Sequence, residues 1–215
     1  MMTVHSLPSL GPEVARDAEA TRIGRWKMLL LLLVCASPVI ASYLTYYVIR
    51  PEGRRNYGEL IEPLRPIPAS LQGTNAAGET VPLTSLMHQW LFVSVADSAC
   101  DEACEQHLYY QRQLREGMGR EKDRLDWVWL RTGESELTPA LREATSTAVV
   151  LHMSEADVAR WLEPAPGYRL SDHLYVVDPM GNWMMRFPAH AEPPRMRRDL
   201  ERLLRASSFW DRPGR

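Results

Sequence analysis

Residues 90–104 read WLFVSVADSACDEAC and lead from an apolar run into two cysteines spaced one helical turn apart. The run from Trp90 to Ala96 is apolar and β-branched and is bounded by polar residues, a pattern that predicts a buried central strand. Residues 101–120 have the spacing of a helix. The sequence therefore predicts that Cys100 and Cys104 lie where a central strand passes into a helix. Thiols at such a place can form a disulfide or bind a soft metal.

The elements on either side of this junction predict the fold. Residues 71–83 are rich in turn formers and predict a β-ribbon. At the C-terminal end of the domain, the apolar periodicity predicts an amphipathic helix with Met196, Leu200, Leu203 and Leu204 on one face. Between them the sequence predicts strands at 125–130 and 147–153, a helix capped by Ser154, and a hairpin of residues 172–177 and 183–187. This order predicts an α/β, thioredoxin-like domain with a central mixed β-sheet flanked by helices.

Residues 28–49 read MLLLLLVCASPVIASYLTYYVI and carry no charged side chain. This length crosses about 30 Å of hydrocarbon at about 1.5 Å per residue, so a single N-terminal transmembrane helix is predicted. Small residues near Ala36 and Ala41 could imitate the cleavage site of a signal peptide. The length of the run and its tyrosines, which suit a membrane interface, favour an uncleaved anchor. Cys35, inside the run, is interpreted as a small apolar residue.

Five segments follow from these patterns. They are a short cytoplasmic N-terminal segment at 1–27, the transmembrane helix at 28–49, a proline-rich spacer at 50–70, the thioredoxin-like domain at 71–208, and a C-terminal tail at 209–215. The spacer is predicted from Pro51, Pro63, Pro66 and Pro68, which lie among charged residues with little apolar periodicity.

Charge counts on the two sides of the anchor do not decide its orientation, because four basic residues precede it and four follow it closely. The close cysteine pair favours an oxidising compartment. We therefore predict a single-pass protein of the inner membrane whose C-terminal domain lies on the periplasmic side.

Composition excludes several classes of function. The 25 basic and 27 acidic residues give a net charge of −2, and no stripe of Lys and Arg interleaved with aromatic residues appears, so nucleic-acid binding is not expected. The sequence contains no phosphate-binding glycine loop, GxSxG elbow or HExxH pair. Hydrolase and nucleotide-dependent activities therefore have no support.

The spacing of the two cysteines leaves alternatives open. Thiols four residues apart lie on one helix face, and a helix N-terminus favours the thiolate form that both redox exchange and metal ligation need. A three-residue spacer is looser than that of dedicated CxxC oxidoreductases and leaves room for a metal between the sulfurs. The plainest alternative is a disulfide that only stabilises the fold.

Six histidines are available as a third ligand for Cu(I), which is well served by two thiolates and an imidazole. His107 follows Cys104 by one turn, and His173 opens the hairpin strand at the corner that faces the active-site helix in a thioredoxin-like sheet. No motif surrounds His88, His152 or His190, and His5 precedes the membrane anchor. His173 is therefore the preferred candidate.

These residues resemble the Sco/SenC family of copper chaperones, over about residues 71–204. The likeness consists of the ribbon GETVPL at 78–83, the strand that leads into CxxxC, Asp172-His173 at the start of a strand, and YVVDPMG at 175–181. The N-terminal anchor with an outward domain also matches. The resemblance implies that Cys100, Cys104 and His173 correspond to the family's copper ligands.

By this resemblance the protein is expected to hold copper, as Cu(I) or Cu(II), and to deliver it to the copper-bearing subunit of cytochrome c oxidase during assembly. Other copper proteins or thiol-redox proteins are further expected partners. Two alternatives come from other classes of protein. One is an extracytoplasmic thiol-disulfide reductase that uses Cys100 and Cys104 as catalytic residues, and the other is a scaffold that has lost the chemistry.

The acidic residues of the motif depart from the family pattern. Family members usually carry prolines within and beside CxxxC, whereas this chain has Asp101 and Glu102 inside the motif and Glu105 directly after it. These carboxylates oppose thiolate formation by like-charge repulsion, although they also attract cations. The chain therefore resembles a divergent branch of the family.

Overall fold

The structure is a computed structural model that describes residues 13–49 and 56–209. The chain divides into two compact units, residues 1–54 and 55–215. Parts of the predicted N-terminal segment and C-terminal tail, and His5, lie outside the described residues.

The first unit contains helix α1, Glu13–Leu44, which is followed by one π-helical turn, Thr45–Ile49. Its stretch Arg22–Tyr47 has a mean hydropathy of 2.1 and no buried residues, so its length and composition suit a membrane span. It is the single helix of this kind among residues 13–49 and 56–209. The predicted N-terminal transmembrane helix therefore has its counterpart in α1.

The second unit contains an eight-stranded mixed sheet with the strand order β1-β8-β7-β4-β5-β6-β2-β3. β4 and β5 are parallel, as are β5 and β6, whereas β4 and β7 are antiparallel. The strands are β1 Glu59–Pro66, β2 Gln72–Thr74, β3 Thr80–Pro82, β4 Trp90–Asp97, β5 Leu125–Thr132, β6 Val149–His152, β7 Leu174–Val177 and β8 Asn182–Arg186. The helices are α2 Glu102–Gly117, α3 Pro139–Ala144, α4 Glu155–Ala159 and α5 Pro193–Ala206. The predicted thioredoxin-like α/β architecture is confirmed.

Strand β4 is buried on both faces, as its apolar run predicts. Leu91, Val93 and Val95 belong to one hydrophobic cluster, to which the α4 region contributes Val158 and Trp161. The residues that alternate with them face the other side of the sheet. Trp90 and Phe92 pack there with residues of α2 and α5. The period of two along β4 thus divides the core into two layers.

The predicted spacer at 50–70 is wrong for its second half. Residues 59–66 form β1, which pairs antiparallel with β8 through Glu59 and Arg186 and through Leu60 and Met185. β1 lies at one edge of the sheet. Proline has no N–H to donate to a neighbouring strand, so prolines in a sequence argue against a strand. An edge strand tolerates them, and Pro63 and Pro66 therefore lie in a strand that the sequence did not predict. The globular unit begins before residue 71.

Two boundaries also differ from the sequence interpretation. Helix α2 begins at Glu102, after the N-cap Asp101, and is followed by a short 3₁₀ segment, Gly119–Arg124. The segment between the predicted strands at 125–130 and 147–153, for which the sequence predicts no helix or strand, contains the short helix α3. Thr138 caps α3 by accepting a hydrogen bond from the backbone N–H of Leu141 at 3.2 Å, and Pro139 occupies its first position. The predicted N-cap Ser154 is confirmed, since it accepts from Asp157 N–H at 3.1 Å.

Candidate redox site

The loop between β4 and α2 is fastened to the end of β5. The hydroxyl of Ser98 donates to the carbonyl oxygens of Thr132 and Gly133, both at 2.8 Å. Asp97 accepts the N–H of Ala99 at 2.8 Å and shapes the turn that leads to the first cysteine. Gly133 has a φ of +80° and lies under the Asp97 carboxylate, where a Cβ atom would clash. These contacts fix the position of Cys100.

Cys100 and Cys104 form a disulfide with a Cα–Cα distance of 5.1 Å. Cys100 precedes the N-cap residue Asp101, and Cys104 lies in the first turn of α2, so only the second cysteine is helical. Asp101 accepts a hydrogen bond from Cys104 N–H at 2.9 Å. Cys100 has a φ of +42°, a conformation uncommon for residues other than glycine. The predicted junction is correct, and Cys100 lies just before the predicted helix start at residue 101.

The disulfide is largely enclosed by aromatic and aliphatic side chains. Cys100 is 8% exposed and Cys104 is 3% exposed. Both pack in one cluster with Leu108 of α2 and with Trp127 and Trp129 of β5. Cys100 also lines an open cavity of about 350 Å³, whereas Cys104 does not. Access from solvent to the disulfide is therefore through Cys100.

His173 lies immediately before β7 and is 1% exposed. Its Nδ1 atom is 2.8 Å from the carbonyl oxygen of Phe187, and its Nε2 atom accepts the N–H of Ala165 at 3.2 Å. The ring of Tyr168 packs edge-on against the imidazole at a centroid distance of 5.4 Å. Both ring nitrogens of the predicted ligand are thus engaged with backbone groups.

Burial lowers the pKa of His173, although the hydrogen bond to Phe187 opposes this and Arg186 adds to it. His107, on α2 one turn after Cys104, is also buried. Its pKa is lowered by burial and then by the charge of a protonated His173, with smaller opposing contributions from Asp172 and Asp101. Both histidines therefore favour the neutral form.

The structure does not assemble the predicted copper ligands into a metal site. Within the described ranges, no group of three or more His, Cys, Asp or Glu side chains could hold a metal ion. The sulfurs of Cys100 and Cys104 are bonded to each other, and both His173 nitrogens have backbone partners. In this oxidised form the residues do not fit a copper ion. His152 lies elsewhere, 3.8 Å from Glu134.

The sequence does not predict the cavity beside Cys100. It also does not predict the clamp, the pair of hydrogen bonds from Ser98 to Thr132 and Gly133 that holds the loop carrying Cys100. The cavity lies between α2 and α3, and α3 is an element that the sequence patterns do not predict. The signals were nevertheless present, because Thr138-Pro139 is a helix start and Gly133 marks a special backbone position.

Comparisons with known proteins agree with the thioredoxin-like fold. A family model described as "Transmembrane-like, thioredoxin-like, C-terminal domain" matches residues 90–207. Among curated protein sequences no significant match is found.

Solved structures with the same fold include Sco proteins and a thiol:disulfide interchange protein. Apo Sco1 of Thermus thermophilus is 15% identical, with a TM-score of 0.52 over 70% of this chain and 96% of that chain. Copper-bound ScoI of Arabidopsis thaliana is 12% identical, with a TM-score of 0.51 over 70% of this chain and 99% of that one. A thiol:disulfide interchange protein from a Bacteroides species is 17% identical, with a TM-score of 0.51 over 68% and 92%. The predicted Sco-like thioredoxin fold is confirmed, and these identities speak to the fold alone.

Proposed function

The chain belongs to the transmembrane-like, thioredoxin-like C-terminal domain family, and we propose that it is a membrane-anchored thiol-disulfide exchange protein that acts through Cys100 and Cys104. One observation carries this proposal. The two cysteines are joined in a disulfide at the strand-to-helix junction, and of the two only Cys100 lines the open cavity.

In the reductive direction the reduced pair acts on a partner disulfide. The Cys100 thiolate attacks one partner sulfur, a mixed disulfide forms, and the other partner sulfur leaves as a thiolate. The Cys104 thiolate then attacks Cys100 Sγ, and the first partner sulfur leaves. The partner gains two electrons, and its two thiolates take up the two protons that the cysteine thiols released. The product on this chain is the Cys100–Cys104 disulfide of the structure.

The position of Cys104 suits its role in this scheme. It lies in the first turn of α2, where unpaired N–H groups and the helix dipole stabilise negative charge. The lower exposure of Cys104 protects it from direct attack by a partner. We therefore propose Cys100 as the attacking sulfur and Cys104 as the resolving one.

A trapping experiment tests this function. Full-length protein in detergent, with Cys35→Ser to remove the free thiol, is reduced and exposed to oxidised glutathione. Cys104→Ser in this background should accumulate a glutathione adduct on Cys100, detected by intact mass, whereas Cys100→Ser should react much more slowly. Protein that keeps both Cys100 and Cys104 should form the internal disulfide and retain no glutathione. Equal adduct formation in the two single variants would refute the assignment, and failure of the pair to oxidise would refute the function.

Copper delivery is the second candidate. The chain has the Sco-like fold, and reduction would release two soft thiolates, one of which, Cys104, lies one turn before His107 on α2. In this candidate function the protein carries Cu(I) as cargo and passes it to the copper-bearing subunit of cytochrome c oxidase. His173 counts against it in its present state, since a ring nitrogen must first leave Phe187 or Ala165.

Anaerobic titration of the reduced full-length Cys35→Ser protein with Cu(I) tests this candidate. Binding that is tighter than in a further Cys100→Ser/Cys104→Ser variant would support copper as cargo, and equal binding would eliminate it. A His173→Ala variant that binds as tightly as its parent would remove only the histidine from the ligand set.

The location of the domain is part of the same proposal. A disulfide persists in an oxidising compartment, so we place the C-terminal domain on the periplasmic side of the inner membrane. Protease added to spheroplasts should digest the domain and leave the anchor. Digestion confined to inverted membrane vesicles would contradict this orientation.

A further inference from the structure

We propose that the cavity beside Cys100 receives a large apolar side chain of a partner protein, from a segment in which that side chain neighbours a cysteine and a Lys or Arg. This inference rests on the proposed thiol-disulfide exchange and names the class of substrate for it. It concerns the cavity between α2 and α3, called the entry cavity below.

The entry cavity has the size and lining of a side-chain pocket. Its volume of about 350 Å³ falls in the usual range of small ligand sites. Its apolar lining comes from α2, α3, β5 and the loop before α2: Ala99, Leu108, Trp127, Ala140, Leu141 and Ala144. Burying an aromatic side chain against such a surface gains about 25 cal/mol per Å² of apolar area removed from water. The cavity therefore favours a large apolar guest.

The entry cavity is continuous with the disulfide. Cys100 forms part of its wall, as do Ser98 and Ala99 of the loop that positions Cys100. The clamp from Ser98 to Thr132 and Gly133 keeps this wall fixed relative to β5. A guest side chain held here places its own backbone beside Cys100. A cysteine next to that guest in the partner sequence is then within reach of the attacking sulfur.

The charge around the entry cavity specifies the flanking residues of the guest. The charged residues that line it are Glu105, Glu136 and a single cation, Arg112. Asp97, Asp101 and Glu102 are exposed beside the two cysteines. Within the described part of the chain none of these carboxylates takes part in an ion pair. With two lining carboxylates against one lining guanidinium, and three more carboxylates beside the cysteines, this face complements a basic segment and speeds its encounter.

Peptide binding to oxidised full-length protein in detergent tests the inference. The probes are fluorescently labelled peptides in which serine replaces the reactive cysteine, so that binding is measured by anisotropy without any sulfur chemistry. The first has Phe beside the serine and Lys residues around it, the second has Gly in place of Phe, and the third has Glu in place of Lys. The Phe-Lys peptide should bind at least tenfold more tightly than either of the others.

Protein variants then locate the binding site. Ala140→Leu fills the entry cavity and should weaken the Phe-Lys peptide about tenfold, whereas Ala156→Leu, on the exposed face of α4, should not. Glu105→Gln/Glu136→Gln should weaken binding and reduce its dependence on salt. Glu143→Gln on α3 serves as the matched control, because Glu143 does not line the cavity. Circular dichroism and the intact disulfide confirm that each variant is folded.

The outcomes separate this inference from the proposed function. Equal affinity for the Phe and Gly peptides, or unchanged binding by Ala140→Leu, overturns the inference even if glutathione exchange occurs. Selective peptide binding in a protein that fails the glutathione test supports the pocket and overturns only the redox function. A dimer that Ala140→Leu dissociates, seen by analytical ultracentrifugation, would assign the cavity to a second copy of the chain and also overturn the inference.

Discussion

The Nδ1 atom of His173 lies 2.8 Å from the carbonyl oxygen of Phe187. Since a carbonyl can only accept, Nδ1 carries the proton and Nε2 presents a lone pair. That lone pair accepts the N–H of Ala165 at 3.2 Å. The neutral tautomer thus satisfies both backbone partners, and a second proton on Nε2 would break one of the two bonds. The imidazole joins β8 to the loop before β7 as a structural element of the domain.

The neutral state of the two buried histidines makes stability depend on pH. Burial lowers the pKa values of His107 and His173 below the unfolded value of 6.5. Between the folded and unfolded pKa values the unfolded chain binds more protons, so the free energy of unfolding rises with pH there and falls on acidification. We expect urea denaturation midpoints of the full-length protein in detergent to decrease as the pH drops below about 6.5.

The contribution of these histidines is isolated by substitution. His107→Gln/His173→Gln should be less stable at neutral pH, but its stability should change less between pH 7 and pH 5 than that of the wild type. His190→Gln removes an exposed histidine and should preserve the wild-type slope. An unchanged slope in the double variant would show that the titrating groups lie elsewhere.

The central part of the fold could be predicted because its signals are local. Residues 90–104 contain an unbroken apolar run followed by residues with helical spacing. The turn residues at 178–182 predict the hairpin of β7 and β8. β1 gave no such signal. Its two prolines argue against a strand in isolation, and only pairing with β8 at the sheet edge makes them acceptable.

The candidate site could be predicted only in part, for a related reason. The spacing of Cys100 and Cys104 located the thiols correctly. The hydrogen bonds of His173 could not be foreseen, because Phe187 and Ala165 reach it from other segments of the chain. The cavity beside Cys100 likewise depends on α3, whose lining residues are distant from Cys100 in sequence.

Asp199 provides a test of the revised domain boundary. Its carboxylate accepts the backbone N–H groups of Tyr57 at 2.6 Å and Gly58 at 2.9 Å, and the residue is 2% exposed. Asp199→Ala leaves both donors without this partner, and hydrogen bonds to charged groups each contribute about 1.5–3 kcal/mol. We expect a loss of at least about 2 kcal/mol in the free energy of unfolding, measured by urea denaturation.

The same variant should loosen the start of β1. Hydrogen exchange at residues 59–62 should accelerate more than exchange in β4. Glu201→Ala is the matched control on α5, since it removes only a surface ion pair with Arg197 and should cost less than about 1 kcal/mol. Equal costs for the two variants would contradict the role of Asp199 as the fastening of β1.

Substitution of Gly133 tests whether the hydrogen bonds of Ser98 to Thr132 and Gly133 position the loop that carries Cys100. Gly133→Ala adds a Cβ atom that collides with Asp97 and forces a left-handed backbone, which alone costs about 1–2 kcal/mol. Gly78→Ala has the same backbone penalty with open space around it, because Gly78 has a φ of +81°. Gly133→Ala should therefore be the less stable of the two by urea denaturation, and only it should change the rate at which dithiothreitol reduces the disulfide. Matching reduction rates would show that the clamp does not position Cys100.

The acidic residues beside the cysteines should restrain thiol reactivity. Glu102 and Glu105 are exposed and lie in the first turn of α2 with Cys104. A unit charge about 7 Å away contributes roughly 0.6 kcal/mol in water, which is about a threefold change in an equilibrium. Glu102→Gln/Glu105→Gln in the reduced Cys35→Ser protein should therefore raise the rate of iodoacetamide alkylation at neutral pH by about threefold or more at low salt. The increase should shrink at high salt, because exposed charges are screened. Glu143→Gln, on α3, should leave the rate unchanged, and a rate that the double variant does not raise would mean that these carboxylates do not oppose thiolate formation.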